Sequence, residues 1–499
     1  MSSARTKWTR TRTGCWTCRK AGYKCDEARP ECGRCKRLSI SCQGYGNRVI
    51  WRDTATVQSG TRKRKRRSDS NVSAETPGGR QQSTTPSTVS ISESNGSPIS
   101  LRTHETSSIL ALSPKGSPSH IPPGMDLEDY QFLHHWTTVV SPILSVASKT
   151  EHNPFREHLT PMTYENGPLR YTVLFCAAKH LSALHAQQYG GKQIHRYQSL
   201  ALRHLNEALG NSDKATSDST LASVLLMQLS TLFASDEEPR ADHLNGAKWI
   251  ITKRRGLSSF SDSCGRFLES LFRYHDVMSS ITRGDTPLLE HKDDLTLDAD
   301  EFLGGIAPLL EIISQISMLQ PRKQIIDLET DDLADKDLLQ SVFLAKGLAL
   351  ETQLKDWNGP VDDPDWLATA EAFRHAAFIY LYRVVYNIGA PHPLTLEHAR
   401  SCLDALRLVQ LESPLVSVHV WPIFTAGCES IDPWDRAFCR QRLQDMFHER
   451  KLLSLLRVQR AMEDVWSRKD QEALHGADQV CKVDCIAVLK QKGREVELG

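Results

Sequence analysis

The sequence predicts three unlike parts in a row: a small cysteine-clustered module, a disordered linker and a large all-α body. Three observations carry that prediction. Six of the 13 cysteines fall between Cys15 and Cys42. Residues 68–123 hold 15 Ser, 6 Thr and 7 Pro with no aromatic residue. From Met125 onward, apolar residues recur at spacings of three and four, the period of a helix with one buried face.

The 499 residues exceed what one hydrophobic core of roughly 250–300 residues encloses, so more than one domain is expected. Lys and Arg total 61 against 60 Asp and Glu, and this balance conceals an asymmetry. Up to Arg67 there are 19 basic and 4 acidic residues, a net of +15, and the remainder carries −14. So basic a segment suits a polyanion. No run approaches the ~18 apolar residues of a membrane helix. The nearest, 306–319, is short and interrupted by Glu311. Arg5, Lys7, Arg10 and Arg12 have no apolar run behind them, which is not the pattern of a secretory signal. The expected setting is a reducing compartment away from membranes. There a dense cysteine cluster reads as metal binding before it reads as disulfides.

The cysteines run Cys15-x2-Cys18-x6-Cys25 and then Cys32-x2-Cys35-x6-Cys42, two halves of identical spacing. Six thiolates exceed the four of one tetrahedral zinc and fall short of the eight needed by two separate sites. Two zincs are each four-coordinate if two of the sulfurs bridge both metals. Such a cluster carries a net charge of about −2. Arg19, Lys20, Lys24, Arg34, Lys36 and Arg37 offset it and leave positive surface over. A module this small has no adequate core, so metal binding supplies much of its folding energy, on the order of 10 kcal/mol. A zinc-sequestering peptide would need neither the repeat nor the basic flank, and a RING-type module needs eight ligands.

The stretch from Thr13-Gly14-Cys15-Trp16-Thr17-Cys18-Arg19-Lys20 to Cys42-Gln43-Gly44-Tyr45-Gly46 resembles the fungal zinc binuclear cluster DNA-binding domain. That module places a helix in the major groove. The resemblance implies two zincs per chain, with Cys15 and Cys32 bridging, Cys18 and Cys25 completing one site, and Cys35 and Cys42 the other. It implies a short helix at each C-x2-C, hence a zinc-stabilised two-helix domain over 1–52. Pro30 matches the family's proline loop between the halves. In that family the end of the first helix reads a CGG-like triplet, using backbone carbonyls and a basic side chain three or four positions after the second cysteine. Here those positions are Ala21 and Gly22, a departure from the pattern; Gly22 offers a carbonyl and no side chain. Lys20 and Lys24 are then the candidates for base or phosphate contact, with Arg19, Arg34, Lys36 and Arg37 on the same basic surface. A Lys or Arg bidentate to guanine gives roughly 1–3 kcal/mol of discrimination, whereas phosphate contacts set affinity without setting sequence.

The next part, 53–124, contains the unbroken basic run Arg62, Lys63, Arg64, Lys65, Arg66 and Arg67. Beside a DNA-binding module this run reads as a nuclear-import signal or a phosphate-contacting arm. About six phosphate contacts would give a salt slope of roughly −5. The Ser/Thr/Pro-rich remainder cannot bury enough apolar surface to offset the entropy of ordering.

In the third part, 125–490, helices are expected over 168–189, 193–209 and 220–234. Asp363-Pro364 opens another, Asp363 serving as its cap and Pro364 as its first residue. Leu367, Ala370, Phe373, Ala377, Leu381 and Val384 line one face of it, and Gly389 is the expected left-handed stop. Asp432-Pro433 repeats the opening before Cys439, Leu443, Met446 and Phe447. The length suggests two packed layers or lobes, and 491–499 reads as a tail. Two stretches, His243 to Ile251 around Gly246-Ala247 and Trp249, and Val420 to Glu429, resemble the fungal-specific transcription factor domain. Gly246-Ala247 permits close helix approach, and Trp421, Ile423 and Phe424 are expected core anchors.

No H-E-x-x-H, G-x-S-x-G or G-x-x-x-x-G-K-[ST] motif occurs, so no enzyme is indicated. His134, His135, His180 and His185 are read as surface or packing residues, and Cys481, Cys485 and His475 as unlinked to a metal. The acidic stretches 285–300 and 327–337 are read as exposed loops, with an activation surface as the alternative. The expectation is a nuclear, sequence-specific regulator of RNA polymerase II type, bound to double-stranded DNA. Its helical domain regulates activity or recruits transcription machinery, through a small-molecule effector or a second protein. Two alternatives stay open: a non-specific nucleic-acid binder, and a metabolite-binding helical protein localised by its zinc module.

Overall fold

The computed structural model describes residues 14–21, 23–28, 31–38, 40–42, 124–147, 152–185, 189–235, 238, 242–254, 260, 262–289, 300, 302–321, 333–359 and 363–499. The basic run 62–67, the stretch 68–123 and the acidic segments 290–299 and 327–332 lie outside them. Among the described residues every regular element is helical.

The cysteine module contains α1 (Trp16–Ala21) and α2 (Gly33–Arg37), one at each C-x2-C pair. The body begins with α3 (Leu127–His135), which runs through a π-helical turn into α4 (Ser141–Leu144). It continues with α5 (Thr160–Met162), α6 (Pro168–Leu184), α7 (Gly191–Leu209), α8 (Asp218–Leu229), α9 (Leu244–Lys253), α10 (Ser263–Arg283) and α11 (Ala307–Ser317). Then follow α12 (Leu333–Asp356), α13 (Pro364–Tyr386), α14 (Pro393–Leu408), α15 (Val420–Glu429), α16 (Pro433–Arg450), α17 (Leu453–Glu472), α18 (Ala477–Cys481) and α19 (Cys485–Gln491).

The local signals act as the sequence suggests. Asp363 accepts from the amides of Asp365 (2.9 Å) and Trp366 (3.3 Å) and starts α13; Asp432 accepts from Trp434 N (2.7 Å) and starts α16. Each satisfies an amide that the first turn leaves free. Gly389 does not stop α13. The left-handed residue is Asn387 (φ 53°), whose short polar side chain tolerates that region. Gly389 is required for a different reason: a Cβ there would lie 1.6 Å from Arg383 Nη2 and 2.8 Å from Glu429 Oε2.

The buried residues of the body form one contiguous core from Phe132 to Leu498, where two packed layers or lobes were expected. The reason lies in α13, whose buried side chains surround the helix: Ala370, Phe373, Ala377 and Leu381 on the expected face, and Ala368, Ala372, Phe378, Ile379 and Val385 elsewhere. A helix apolar all round is a central one. It packs against α11, α12, α14 and α15 and so joins what would otherwise be two layers. The stretch 491–499, set apart as a tail, contributes Val496 and Leu498 to the same core.

Gly246 and Ala247 are buried on α9, which packs against α8 and α10. Trp421, Ile423 and Phe424 on α15 are buried core residues. A Cβ on Gly427 would sit 2.2 Å from Met462 Cε, so glycine lets α15 and α17 close together; Trp466 Nε1 donates to the Gly427 carbonyl (2.6 Å). His135 and His180 pack as a pair, with Nε2 and Nδ1 2.8 Å apart, and the other nitrogen of His180 is 3.0 Å from the Arg450 carbonyl.

Candidate metal centre and nucleic-acid interface

The duplicated spacing becomes duplicated geometry. The sulfur of Cys15 accepts from Cys18 N (3.4 Å) as α1 begins, and the sulfur of Cys32 accepts from Cys35 N (3.3 Å) as the cap of α2. In each half, then, the first thiol sits at the start of its own helix and turns its sulfur inward. Cys15 Sγ and Cys32 Sγ are 3.6 Å apart, Cys18 Sγ and Cys32 Sγ 3.6 Å, and Cys15 Sγ and Cys35 Sγ 3.9 Å. Four sulfurs around a zinc at about 2.3 Å are separated by about 3.8 Å along each tetrahedron edge, so these spacings are those of shared metal sites. Cys15, Cys18, Cys32 and Cys35 lie mutually within 4.8 Å, and the Cys25 sulfur lies within that distance of Cys32. Cys42, half-buried, packs against the same cluster. All six sequence-predicted thiols therefore converge.

Burial raises the Cys15 and Cys35 thiols above the ordinary cysteine value and pushes Cys32 up to about 12. Thiolates gathered out of water in this way need cations among them, and soft divalent zinc matches both the donor type and the spacing. The residues present thus fit the metal.

Two supporting residues carried no sequence signal. Asp26, just after Cys25, takes the Gly33 amide on both carboxylate oxygens (2.8 and 3.1 Å) and so ties the first half to the start of α2. Tyr23 lies under the Arg34 guanidinium, 4.0 Å from ring centroid to Cζ. Arg34 also points Nη1 at the Cys18 sulfur (3.9 Å), which places its charge beside the thiols. Arg19, Ala21, Lys24, Lys36 and Arg37 are exposed. Gly22, Pro30 and the side chain of Lys20 lie outside the described residues, as does the basic run Arg62–Arg67. In the body, His475 is exposed and paired with Glu472, while Cys481 Sγ accepts from Gly389 N (3.4 Å). No helix among the described residues is long and apolar enough to cross a membrane.

Residues 131–499 match the fungal specific transcription factor domain, and residues 13–52 match the fungal Zn(2)-Cys(6) binuclear cluster domain. The chain belongs to the fungal-specific transcription factor family. It is a sequence-specific DNA-binding transcription regulator whose cofactor is zinc in a binuclear six-cysteine cluster. This transcription factor is 23% identical to the pestheic acid cluster transcriptional regulator 3 of Pestalotiopsis fici, over 92% of this chain and 95% of the relative. It is 25% identical to the acriflavine sensitivity control protein acr-2 of Neurospora crassa, over 71% of this chain and 65% of the relative. Over the cysteine module alone, identity to white-opaque regulator 2 of Candida albicans reaches 61%, covering 7% of this chain and 8% of that one. No solved structure matches this transcription factor.

Proposed function

We propose that residues 1–52 dock on double-stranded DNA in the nucleus through two zincs, with Cys15 and Cys32 as the bridging thiolates. Cys18 and Cys25 complete one zinc site, and Cys35 and Cys42 the other. The observation that carries this reading is the pair of helix-capping sulfurs, Cys15 and Cys32, 3.6 Å apart, each also near the non-capping thiol of the other half. Cys18 reaches across to Cys32 and Cys35 to Cys15, as two tetrahedra sharing an edge require.

In this reading the exposed end of α1 faces the DNA. The carbonyls around Ala21 and Gly22, with Lys20 and Lys24, meet base edges, and Arg19, Lys36 and Arg37 meet phosphates. Arg34 stays with Tyr23 and the Cys18 sulfur and neutralises the cluster. Residues 62–67 act as import signal or phosphate arm within the tether 53–124. The body, 125–490 with its terminal stretch, catalyses nothing and regulates or recruits RNA polymerase II transcription machinery.

Two measurements on the full chain test the proposal. Metal analysis should find two zincs per chain. Selection of bound sites from random DNA should return a shared short motif. One zinc, or an unenriched pool with RNA competing equally, would overturn it.

A further inference from the structure

Helix α12 is apolar on the side it buries and apolar on the side it leaves open. On the inner side it packs against α11 and α13, with Phe343, Leu350 and Leu354 buried. A Cβ on Gly347 would lie 2.8 Å from Val385 Cγ1, so glycine lets α12 settle close to α13. On the outer side Leu338 is 63% exposed, Leu348 58%, Val342 46% and Leu344 38%. Ala345 and Ala349 are exposed among them. Ser341 and Thr352 share this side, and each hydroxyl is spent on the carbonyl four residues back, that of Asp337 (2.7 Å) and that of Leu348 (3.0 Å). A helix apolar all round is expected to be buried all round, and here half of the covering is missing. A contiguous apolar patch on the order of a few hundred Å² marks an interaction surface.

The order of residues along the face identifies what covers it. Leu338, Val342, Ala345, Ala349 and Thr352 follow one another at steps of four, three, four and three, the seam of a two-helix coil. Small Ala345 and Ala349 in the middle admit a second helix at close range. One edge of the seam carries Asp337, Leu344, Leu348 and Lys355. These four are placed symmetrically about position 346, and the outer two have opposite charge. Laid antiparallel on its own copy, the helix sets Leu344 against Leu348 and Asp337 against Lys355, each pair occurring twice. A contact between identical surfaces across a two-fold axis requires this self-complementarity. Asp337 is exposed, and Lys355 is 60% exposed in a pair with Glu351 one turn away (2.7 Å). Lys346 stands on the other edge, where its long stem carries the charge into water.

We propose that α12 is a homodimer contact, its open face pairing antiparallel with the same face of a second copy of this chain. Two helices of this length bury on the order of 1,000 Å² in total, the low end of specific interfaces, so the dimer is weak and exchanging. The contact lies in the helical body and is independent of how the cysteine module meets DNA.

The test is sedimentation equilibrium of the zinc-loaded full chain from about 1 to 100 µM at low ionic strength. The average mass should climb from one chain toward two. Ala345→Glu and Leu348→Glu each put a good helix former at an exposed position and a charge into the dimer seam. Each should weaken the dimer about tenfold or more, with far-UV circular dichroism and zinc content equal to the parent's. Asp337→Lys or Lys355→Asp sets like charges face to face twice and should weaken the dimer roughly fivefold or more. The chain carrying both substitutions restores opposite charges in both pairs and should return to within about twofold of the parent. Since it keeps whatever each substitution costs the helix itself, its recovery reports the antiparallel pairing alone. A mass of one chain throughout, a dimer indifferent to both glutamates, or no recovery in the double variant would each overturn the proposal.

Discussion

Glu429→Gln should cost the helical body about 3 kcal/mol, and two independent routes lead to that figure. Glu429 is 3% exposed and is the only carboxylate bonded to both Arg383 and Lys469 among the described contacts. Removing its charge leaves two buried cations without their partner, and breaking a buried pair from one side costs about 3–5 kcal/mol. The second route is linkage. Burial alone would raise the Glu429 carboxyl; the Lys469 and Arg383 charges and their hydrogen bonds overcome that and hold it at about 2, against an ordinary 4.5. A carboxyl so displaced contributes about 3 kcal/mol at neutral pH. Because the folded value is the lower one, the contribution is complete above pH ~4.5 and is lost as pH falls toward ~2. The assay is guanidinium unfolding of the full chain, followed by far-UV circular dichroism, which the helical body dominates. Glu429→Gln should lose about 3 kcal/mol at pH 7 and show a flatter stability profile than the parent between pH ~4.5 and ~2. A loss below about 1 kcal/mol, or parallel profiles, would refute the reasoning. Replacing Arg383, Glu429 and Lys469 together by apolar residues of similar size should recover much of the loss, since no buried charge is then stranded.

Acid should begin to weaken the body at a higher pH than that. Burial lowers His135 to about 3 and His275 and His398 to about 4, and it lowers His180 and His419 as well, so each is neutral when folded and accepts a proton more readily unfolded. Stability should therefore fall as pH drops from ~6.5 toward ~4, and a flat denaturation midpoint over that range would contradict it. Gly389→Ala should cost about 1–3 kcal/mol by overpacking against Arg383, whereas Asn387→Gly should be nearly neutral because glycine accepts the left-handed conformation; equal effects in unfolding experiments would reverse the assigned roles. Cys15→Ala and Cys32→Ala should each lose both zincs and the DNA mobility shift, while Cys42→Ala retains part of the metal; equal, single-zinc losses would count against the bridging assignment.

What could be read in the sequence was what is local. Each C-x2-C spans one helical turn, and the family resemblance implied a short helix at each pair; that its first sulfur accepts from the amide three residues on is a finding of the structure. Asp363 and Asp432 act on amides two or three residues away, and their helices start where those residues indicated. Gly389 was misread because a glycine shortly after a helix has two explanations, a left-handed turn or a close approach, and the second depends on an arginine whose partner is distant in sequence. The charge centre itself was invisible for the same reason. Arg383, Glu429 and Lys469 are separated by 46 and 40 positions, and each alone resembles one more solvated charge on an amphipathic helix. Only when α13, α15 and α17 close on one another, α15 and α17 through Gly427 and the Arg383–Glu429 contact through Gly389, do three ordinary surface letters become a buried ion cluster. The acidic remainder of the chain is thus more than a counterweight to its basic start: part of that acidity is spent inside the body, where one carboxylate fixes the positions of three helices.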